Sequence, residues 1–410
     1  MLQGLILADD FTGALDTAVQ FAERGMKVQV LDFETTSFQS NGTDILVIDT
    51  ESRNLPREEA IIKVSQPMKD MKGENAFLLY KKTDSLLRGN IGGELEAILS
   101  ISGRSAIFFV PAFPEMGRTV TDGKLFVNGE LLTDTVYSKD RICPVDKDKI
   151  SDIIREQSNL SVVEVRTSDA IPMEIKDSVI YVFDGCTEEG LKELARKIVP
   201  VMHRVVLAGC AGFAKYISRY WKAKPMMNNK TFVAIKKHII VCGSINANTL
   251  EQIRFAVENG VVSYKLLPEE YVCENLSEDV RIKIKNLQKK FSKILFYTAD
   301  KESDLKEAQM YAQRKNISIS ELGRIVAERL GEIVELCAKE EGIVSVIGGD
   351  TLYQSMKKME YRNVQPIKEW KEGVVISKVY LKNGGEKIFL SKAGSFGTKS
   401  VIWEMFHLIK

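Results

Sequence analysis

A chain of 410 residues, 44% apolar and 28% charged, has the composition of an ordinary globular protein and the length of two domains, which excludes fibrous and low-complexity classes. Its net charge of +1, with no basic tract, gives no argument for a nucleic-acid partner. Six scattered cysteines without a CxxC pair read as reduced core residues, and three distant histidines argue against a His-based metal site. No apolar run approaches the roughly 18 residues that span a membrane, so no membrane partner is expected. The N-terminus runs straight into a strand without a signal peptide, and a cytoplasmic location is the expectation.

In chain order, Leu2 to Ala8 reads as a buried strand interrupted by Asp9-Asp10-Phe11-Thr12-Gly13. Ala14 to Glu23 then carries apolar residues at helical spacing, with Gly25 as the stop. Lys27 to Leu31, Ile45 to Asp49, Ala76 to Tyr80 and Ala106 to Val110 repeat the apolar-strand signal. Helical segments between several of them predict a parallel sheet covered on both faces. Asn128-Gly129 between apolar stretches predicts a hairpin with a type I′ turn. Further strands are expected at Val162 to Val165, Val179 to Phe183 and Val205 to Ala208, with a helix from Glu188 to Ile198.

The polar stretch Lys222 to Lys230, containing Pro225, is the boundary candidate. It divides the chain into domains 1–225 and 231–410, joined by a linker at 222–230. Beyond it the α/β rhythm restarts: a strand at His238 to Cys242, a helix from about Ala247 to Asn259, and strands at Lys293 to Tyr297 and Ile343 to Ile347. A long helix, Ser320 to Glu340, falls between the last two. Two β runs, Gly373 to Leu381 and Lys387 to Ser391, turn at Asn383-Gly384-Gly385, and a last helix starts near Ser400. No sequence repeat is present.

Loops at the carboxyl ends of strands in an open α/β sheet face the ligand crevice. The strand Ala76 to Tyr80 stops in Lys81, Lys82, Thr83, Asp84 and Ser85, followed by Arg88 and Asn90. Two lysines, an arginine and an aspartate there suit an anionic, hydroxylated small molecule. The plainer reading is a solvated turn in which Asp84 or Ser85 caps a helix. Asp9 and Asp10 can bind substrate hydroxyls, accept a proton or hold Mg²⁺. Equally, Asp10 or Thr12 caps the following helix, a carboxylate there contributing about 0.3–1 kcal/mol. Arg88 and Arg118, the latter after Pro111-Ala112-Phe113-Pro114, have the geometry to clamp a carboxylate, although isolated arginines are more often surface residues.

In the second half, three strand ends finish in small residues: Gly243-Ser244, Gly348-Gly349-Asp350-Thr351 and Gly394-Ser395-Phe396-Gly397. Glycines admit a phosphate close to the backbone, and a following helix offers unpaired N–H groups. One glycine pair is weak evidence, since turns use glycine routinely; three in one half-chain point to a nucleotide. There is no GxxxxGK[ST] loop, which excludes a P-loop NTPase, and no GxGxxG after a strand, which counts against a dinucleotide enzyme.

The segments ADDFTGALD (8–16), KKTDSLLRGN (81–90) and PAFPEMGRTVTDGKLFVNGELLTDT (111–135) resemble those of the four-carbon acid sugar kinases. VFDGCTEEGL, LAGCAGFA, CGSINANT, GGDT and KAGSFG follow in the family's order. The region from Ser138 to Ile150 matches only loosely, and Ala393-Gly394-Ser395 is a variant of the family's glycine-rich end. The resemblance implies two Rossmann-like three-layer α/β domains with mostly parallel sheets and a cleft between them. The first domain would bind the sugar acid and the second ATP, with Mg²⁺ bridging the phosphates and Asp350 nearby.

The implied activity is ATP-dependent phosphorylation of the terminal (4-) hydroxyl of threonate, erythronate or a 3-oxo-tetronate. By motif, Asp9, Asp10, Asp84 and Arg88 are the catalytic candidates, and Lys82, Ser85, Asn90 and Arg118 the substrate-binding ones. Gly243, Ser244, Gly348, Gly349, Asp350, Thr351, Gly394, Ser395 and Gly397 would line the nucleotide. Which aspartate is the base stays open. Two domains about a cleft also predict closure around the 222–230 linker. The rival readings are a non-catalytic sugar-acid or nucleotide-binding regulator and, on weaker grounds, a nicotinamide-dependent dehydrogenase. A homodimer is compatible with the chain, and no patch in the sequence decides the oligomeric state.

Overall fold

The computed structural model describes residues 2–34, 42–71, 76–139, 143–169, 171–172, 174–221 and 237–408. It falls into two compact units, Met1–Met226 and Met227–Lys410. The polar stretch 222–230, read above as the linker, lies outside the described residues. Among the described residues no helix is long and apolar enough to cross a membrane.

The first unit contains strands β1 (Gly4–Ala8), β2 (Val28–Asp32), β3 (Ile45–Asp49), β4 (Leu78–Lys82), β5 (Ala106–Val110), β6 (Arg118–Thr121), β7 (Lys124–Val127), β8 (Glu130–Leu131), β9 (Ser161–Val165), β10 (Val179–Phe183) and β11 (Val205–Gly209). Its helices are α1 (Phe11–Ala22), α2 (Arg57–Asp70), α3 (Ile91–Ser102), α4 (Ile150–Gln157), α5 (Glu188–Ile198) and α6 (Ala211–Ile217). The main sheet runs β2-β3-β1-β4-β11-β5-β10-β9, every pairing parallel. Short apolar runs such as GLILA and AIFFV are buried at every position, as a sheet covered on both faces requires.

Helix α5 shows how a surface helix is specified. Thr187 caps it by accepting from the Gly190 N–H, Glu188 and Glu189 open it, and Arg196 and Lys197 close it, complementing the helix dipole. It buries only Leu191, Ala195 and Ile198, one stripe at helical spacing. The separate antiparallel sheet β6-β7-β8 carries the expected hairpin: Val127 pairs with Glu130 across Asn128 and Gly129, whose φ values of 53° and 87° are those a type I′ turn demands.

The second unit contains β12 (His238–Cys242), β13 (Ser263–Lys265), β14 (Lys293–Tyr297), β15 (Ile343–Ile347), β16 (Tyr361–Lys371), β17 (Val374–Leu381) and β18 (Glu386–Lys392). Its helices are α7 (Ala247–Glu258), α8 (Pro268–Tyr271), α9 (Glu278–Lys290), α10 (Glu302–Arg314), α11 (Ile319–Ala338), α12 (Gly349–Lys358) and α13 (Val401–Met405). The order is β13-β14-β12-β15-β18-β17-β16; β18 lies parallel to β15, and the last three strands form an antiparallel meander. Helix α13 closes one face of the sheet, where Val401, Ile402 and Met405 pack with Ile240, Ile347 and Leu390.

Helix α10 and strand β16 are among the elements absent from the sequence reading. Helix α10 precedes the expected long helix and buries only Asp304, Ala308 and Ala312, so it presents no apolar stripe to read. Strand β16 contains Pro366, which central strands avoid; a register shift between Pro366 and Lys368 accommodates it.

Both sheets place a crevice at a defined point. From β1 the chain leaves through α1 toward β2 on one side, and from β4 through α3 toward β5 on the other, so the neighbours β1 and β4 form a topological switch point. In the second unit β12 and β15 stand in the same relation, through α7 and α12.

Candidate active site

In the first unit the register pairs Ala8 with both Asp49 and Lys82, which brings the exits of β1, β3 and β4 to one edge. Asp10 is the N-cap of α1: its Oδ1 accepts from the Gly13 N–H at 3.2 Å and its Oδ2 from the Thr12 hydroxyl at 2.6 Å. Arg53, in the loop after β3, forks onto Asp9 with Nε to Oδ2 at 2.8 Å and Nη2 to Oδ1 at 2.9 Å. Nη2 also donates to Asp10, and Nη1 lies 3.7 Å from Asp84 Oδ1. Asp84 accepts a second fork from Arg88, at 2.7 and 3.0 Å, and holds its own loop through the Leu86 N–H. Lys82 Nζ stands 3.9 Å from Asp10 Oδ1. It fits there because residue 13 is glycine: a Cβ at that position would sit 2.3 Å from Nζ.

Three carboxylates, Asp9, Asp10 and Asp84, thus interlock with three cations, Arg53, Lys82 and Arg88, and the formal charges cancel. Burial by itself would raise the Asp10 carboxyl, but Arg53 and Lys82 outweigh it and bring it down to about 2. The same contest at Asp84, decided by Arg88 and Arg53, leaves its carboxyl far below the usual carboxylate range. Burial would likewise lower the Arg53 guanidinium, and the surrounding aspartates more than reverse it. Beneath the cluster, Lys81 and Glu94 form a fully buried ion pair at 2.7 Å.

Asp9, Asp10, Lys82, Asp84 and Arg88 therefore meet in one place. Ser85 is half-buried on the same loop. The Asn90 amide is engaged with the Leu55 and Ser52 carbonyls, at 2.8 and 3.3 Å, and so tethers the loop that carries Arg53. Neither Asp84 nor Ser85 caps α3, whose N-cap is Asn90. Arg118 takes part in none of these ion pairs among the described residues: it is buried at the start of β6, donates to the Met116 carbonyl and lies 5.9 Å over the Tyr137 ring. Arg53 is the residue sequence reading missed. It follows the strand Ile45 to Asp49, and the strand-end rule applied there as it was to the other strands points to it.

In the second unit the pairings Cys242 with Ile347 and Ile347 with Lys392 set the exits of β12, β15 and β18 side by side. Gly348, with φ 110°, is the N-cap of α12, and the Thr351 hydroxyl packs over Gly243. Ser244 Oγ lies 3.0 Å from Thr249 Oγ1, which donates to the Gly394 carbonyl at 2.6 Å. A Cβ at 394 would meet Ser244 Oγ at 2.2 Å, so glycine there leaves room for that hydroxyl. Asn248 donates to the Ser395 carbonyl, and Gln252 to those of Phe396 and Gly397. Lys392, fully buried, gives its ammonium to the carbonyls of Ala393 and Gly394; burial lowers it to about 8. Asp350 is exposed in the first turn of α12. The three glycine edges named from sequence meet, with Ser244 against both Gly348 and Gly394, and are joined by Lys392, Asn248, Thr249 and Gln252, which strand-end reasoning did not single out.

A sugar-binding N-terminal domain model matches residues 4–217, a little over half of the chain, and a nucleotide-binding C-terminal domain model matches residues 239–402. By class, then, this is a protein with one sugar-binding and one nucleotide-binding half. Its relatives narrow the class. The chain is 27% identical over 363 residues to the D-threonate kinase of Salmonella typhimurium, covering 84% of each chain. It is 24% identical over 415 residues to the 3-oxo-tetronate kinase of Pseudomonas fluorescens, covering 95% of this chain and 93% of that one. Over 269 residues it is 32% identical to the D-erythronate kinase of Heliobacterium modesticaldum, covering 62% of this chain and 60% of the other. A solved Salmonella typhimurium structure shares the fold, with a TM-score of 0.77 at 21% identity over 100% of both chains. So does the Haemophilus influenzae protein HI1011, with 0.72 at 20% identity over 99% of each. The chain belongs to the four-carbon acid sugar kinase family.

Proposed function

We propose that the protein is an ATP-dependent kinase that phosphorylates the terminal (4-) hydroxyl of a four-carbon sugar acid, threonate, erythronate or a 3-oxo-tetronate, by direct in-line transfer. The observation that carries this reading is the neutral lattice of three carboxylates and three cations at the β1/β4 switch point. A sugar acid needs acceptors for its hydroxyls and cations for its carboxylate, and this lattice supplies both. The Thr83 hydroxyl, buried and without a hydrogen-bond partner among the described residues, adds a further polar group suited to a hydroxylated ligand. The names of the relatives point to the same substrate class.

Arg88, at 28% the most exposed cation of the cluster, and Lys82 take the substrate carboxylate. Asp9 is fully forked by Arg53 and Asp84 by Arg88, whereas one Asp10 oxygen is held by the Thr12 hydroxyl, which can turn away. Asp10 is also the most exposed of the three carboxylates. It orients the attacking hydroxyl and receives its proton. Its low pKa makes it a weak base, which suits a loose phosphoryl-transfer transition state in which positioning outweighs early proton removal.

In the second unit the glycine edges hold the triphosphate, with ATP as the phosphoryl donor. Among the described residues no group of three or more Asp, Glu, His or Cys side chains is placed to cage a metal ion. Mg²⁺, which binds through phosphate oxygens, water and one or two carboxylates, fits as the companion of the triphosphate, with Asp350 as the nearby carboxylate. It would supply charge neutralisation on the phosphates.

An ADP-release assay over D- and L-threonate, D- and L-erythronate and 3-oxo-tetronate, with NMR of the product, tests the proposal. The expected result is acid-dependent ADP release and a 4-phosphate. ATP turnover at the background rate with every acid would overturn the proposal and favour the non-catalytic reading, or, if NAD or NADP is reduced, a dehydrogenase.

A further inference from the structure

We propose that Lys392, Asn248, Thr249 and Gln252 are positioning residues for the nucleotide: they hold the loop Gly394–Gly397, which the family resemblance already assigns to the nucleotide, so that its backbone N–H groups face the phosphate chain. The inference rests on reading the second unit as the nucleotide-binding half, and adds to that reading the groups that grip and those that aim them.

The carbonyls of the loop are all occupied. Each one from Ala393 to Gly397 is taken by a side-chain donor of the same unit. Lys392 Nζ donates to Ala393 at 2.9 Å and to Gly394 at 3.4 Å, and Thr249 donates to Gly394 at 2.6 Å. Asn248 donates to Ser395 at 3.2 Å, and the single Gln252 amide bridges Phe396 and Gly397 at 3.0 Å each. In a planar trans peptide the carbonyl and the next residue's N–H point in opposite directions. Drawing the carbonyls toward α7 and Lys392 therefore turns the N–H groups of Gly394, Ser395 and Gly397 the other way. The Phe396 N–H closes a turn onto the Ala393 carbonyl. Among the described residues, the N–H groups of Gly394, Ser395 and Gly397 donate to no acceptor of the chain.

Backbone donors in half-buried residues demand partners, and the N–H groups of Gly394 and Ser395, both half-buried, stand beside that of exposed Gly397 as successive donors open to an anion. Two buried groups beneath the loop strengthen the case. Lys392 is fully buried and has no carboxylate partner among the described residues, a costly arrangement unless an anion lies near. Gln252 is 1% exposed, and its Oε1 has no hydrogen-bond partner among the described residues, so the side chain is spent on donation to the loop. Asn248, Thr249 and Gln252 share one face of α7 by their spacing.

The test uses the full chain and two probes, Mg-ADP and inorganic tripolyphosphate, titrated calorimetrically, with steady-state kinetics alongside. Gln252→Met keeps the volume and removes both donors. Two hydrogen bonds of ordinary worth correspond to about tenfold weaker binding of both probes. KM for ATP should rise by the same factor while KM for the sugar acid stays put. Asn248 is exposed, so Asn248→Ala folds even if Gln252→Met does not, and should weaken both probes by about threefold. Lys392→Arg should retain binding that Lys392→Met loses. Wild-type affinity for both probes in folded Gln252→Met or Asn248→Ala overturns the positioning role alone. Weakening of ADP with tripolyphosphate unchanged also overturns it. A wild-type chain that binds neither probe overturns the nucleotide reading and the positioning role with it.

Discussion

Arg53 is the residue on which the first unit's polar cluster depends, and Arg53→Met isolates its charge. The guanidinium is 14% exposed, forks onto Asp9 at 2.8 and 2.9 Å, donates to Asp10 and faces Asp84 at 3.7 Å. Methionine keeps much of the apolar stem and removes the positive charge. Removing one partner of a buried ion pair costs about 3–5 kcal/mol, because the remaining charge is left without compensation. For a unit of this size about 1 kcal/mol moves the thermal midpoint by about 2–4 °C, so a fall of roughly 6–20 °C is expected. Calorimetric and circular-dichroism melts of the full chain read it.

The electrostatic origin makes a second demand that lost packing does not. Adding Asp9→Asn or Asp84→Asn to Arg53→Met should restore stability, whereas either asparagine alone should lower it. An Arg53→Met chain melting within about 2 °C of the wild type, or one further destabilised by the asparagines, would refute the reasoning.

Acid should weaken the same region. The Asp10 carboxyl is lowered from 3.8 to about 2 and Asp84 lies lower still, so both stabilise the fold above their unfolded values. The Asp10 share, about 2 kcal/mol, is lost as pH falls from about 4 through 2, and loss of the Asp84 share continues at lower pH still. Urea titrations at pH 6 and pH 3 should show Asp10→Asn with a flatter dependence than wild type; an unchanged slope contradicts the pairing. The Lys81–Glu94 pair, fully buried at 2.7 Å, predicts that Lys81→Met costs about 3–5 kcal/mol in urea unfolding, and that Lys81→Met with Glu94→Leu recovers most of it. Gly13→Ala, whose methyl would displace the Lys82 ammonium, should raise KM for the acid and leave KM for ATP unchanged in steady-state kinetics.

Much of the fold is legible because a parallel strand buried on both faces is a short, mostly apolar run, ended here by an aspartate, a proline or a glycine. The strands β1, β5, β12 and β15 are all of this kind. Helix α10 and strand β16 break the rules that reading relies on, the first with a polar face nearly all round and the second with an internal proline. The site is legible to the same depth. Asp9, Asp10, Lys82, Asp84 and Arg88 stand at strand ends and announce themselves. Arg53 reaches Asp9 across 44 residues and Gln252 reaches Phe396 across 144, through strand order and register that no local pattern encodes. The same limit hides the work of Asn90, which from sequence is a polar loop residue and in the fold ties down the Arg53 loop.

In the proposed function the sugar acid sits on the ionic cluster of the first unit and the nucleotide on the glycine edges of the second. Amide hydrogen exchange of the full chain, measured with D-threonate, D-erythronate or 3-oxo-tetronate alone and with Mg-ADP alone, tests it most directly. A bound acid should slow exchange in residues 9–13 and 82–90 and leave 243–249 and 393–397 unchanged, with Mg-ADP giving the reverse. Protection of the glycine edges by the acid, or of the ionic cluster by Mg-ADP alone, would contradict it.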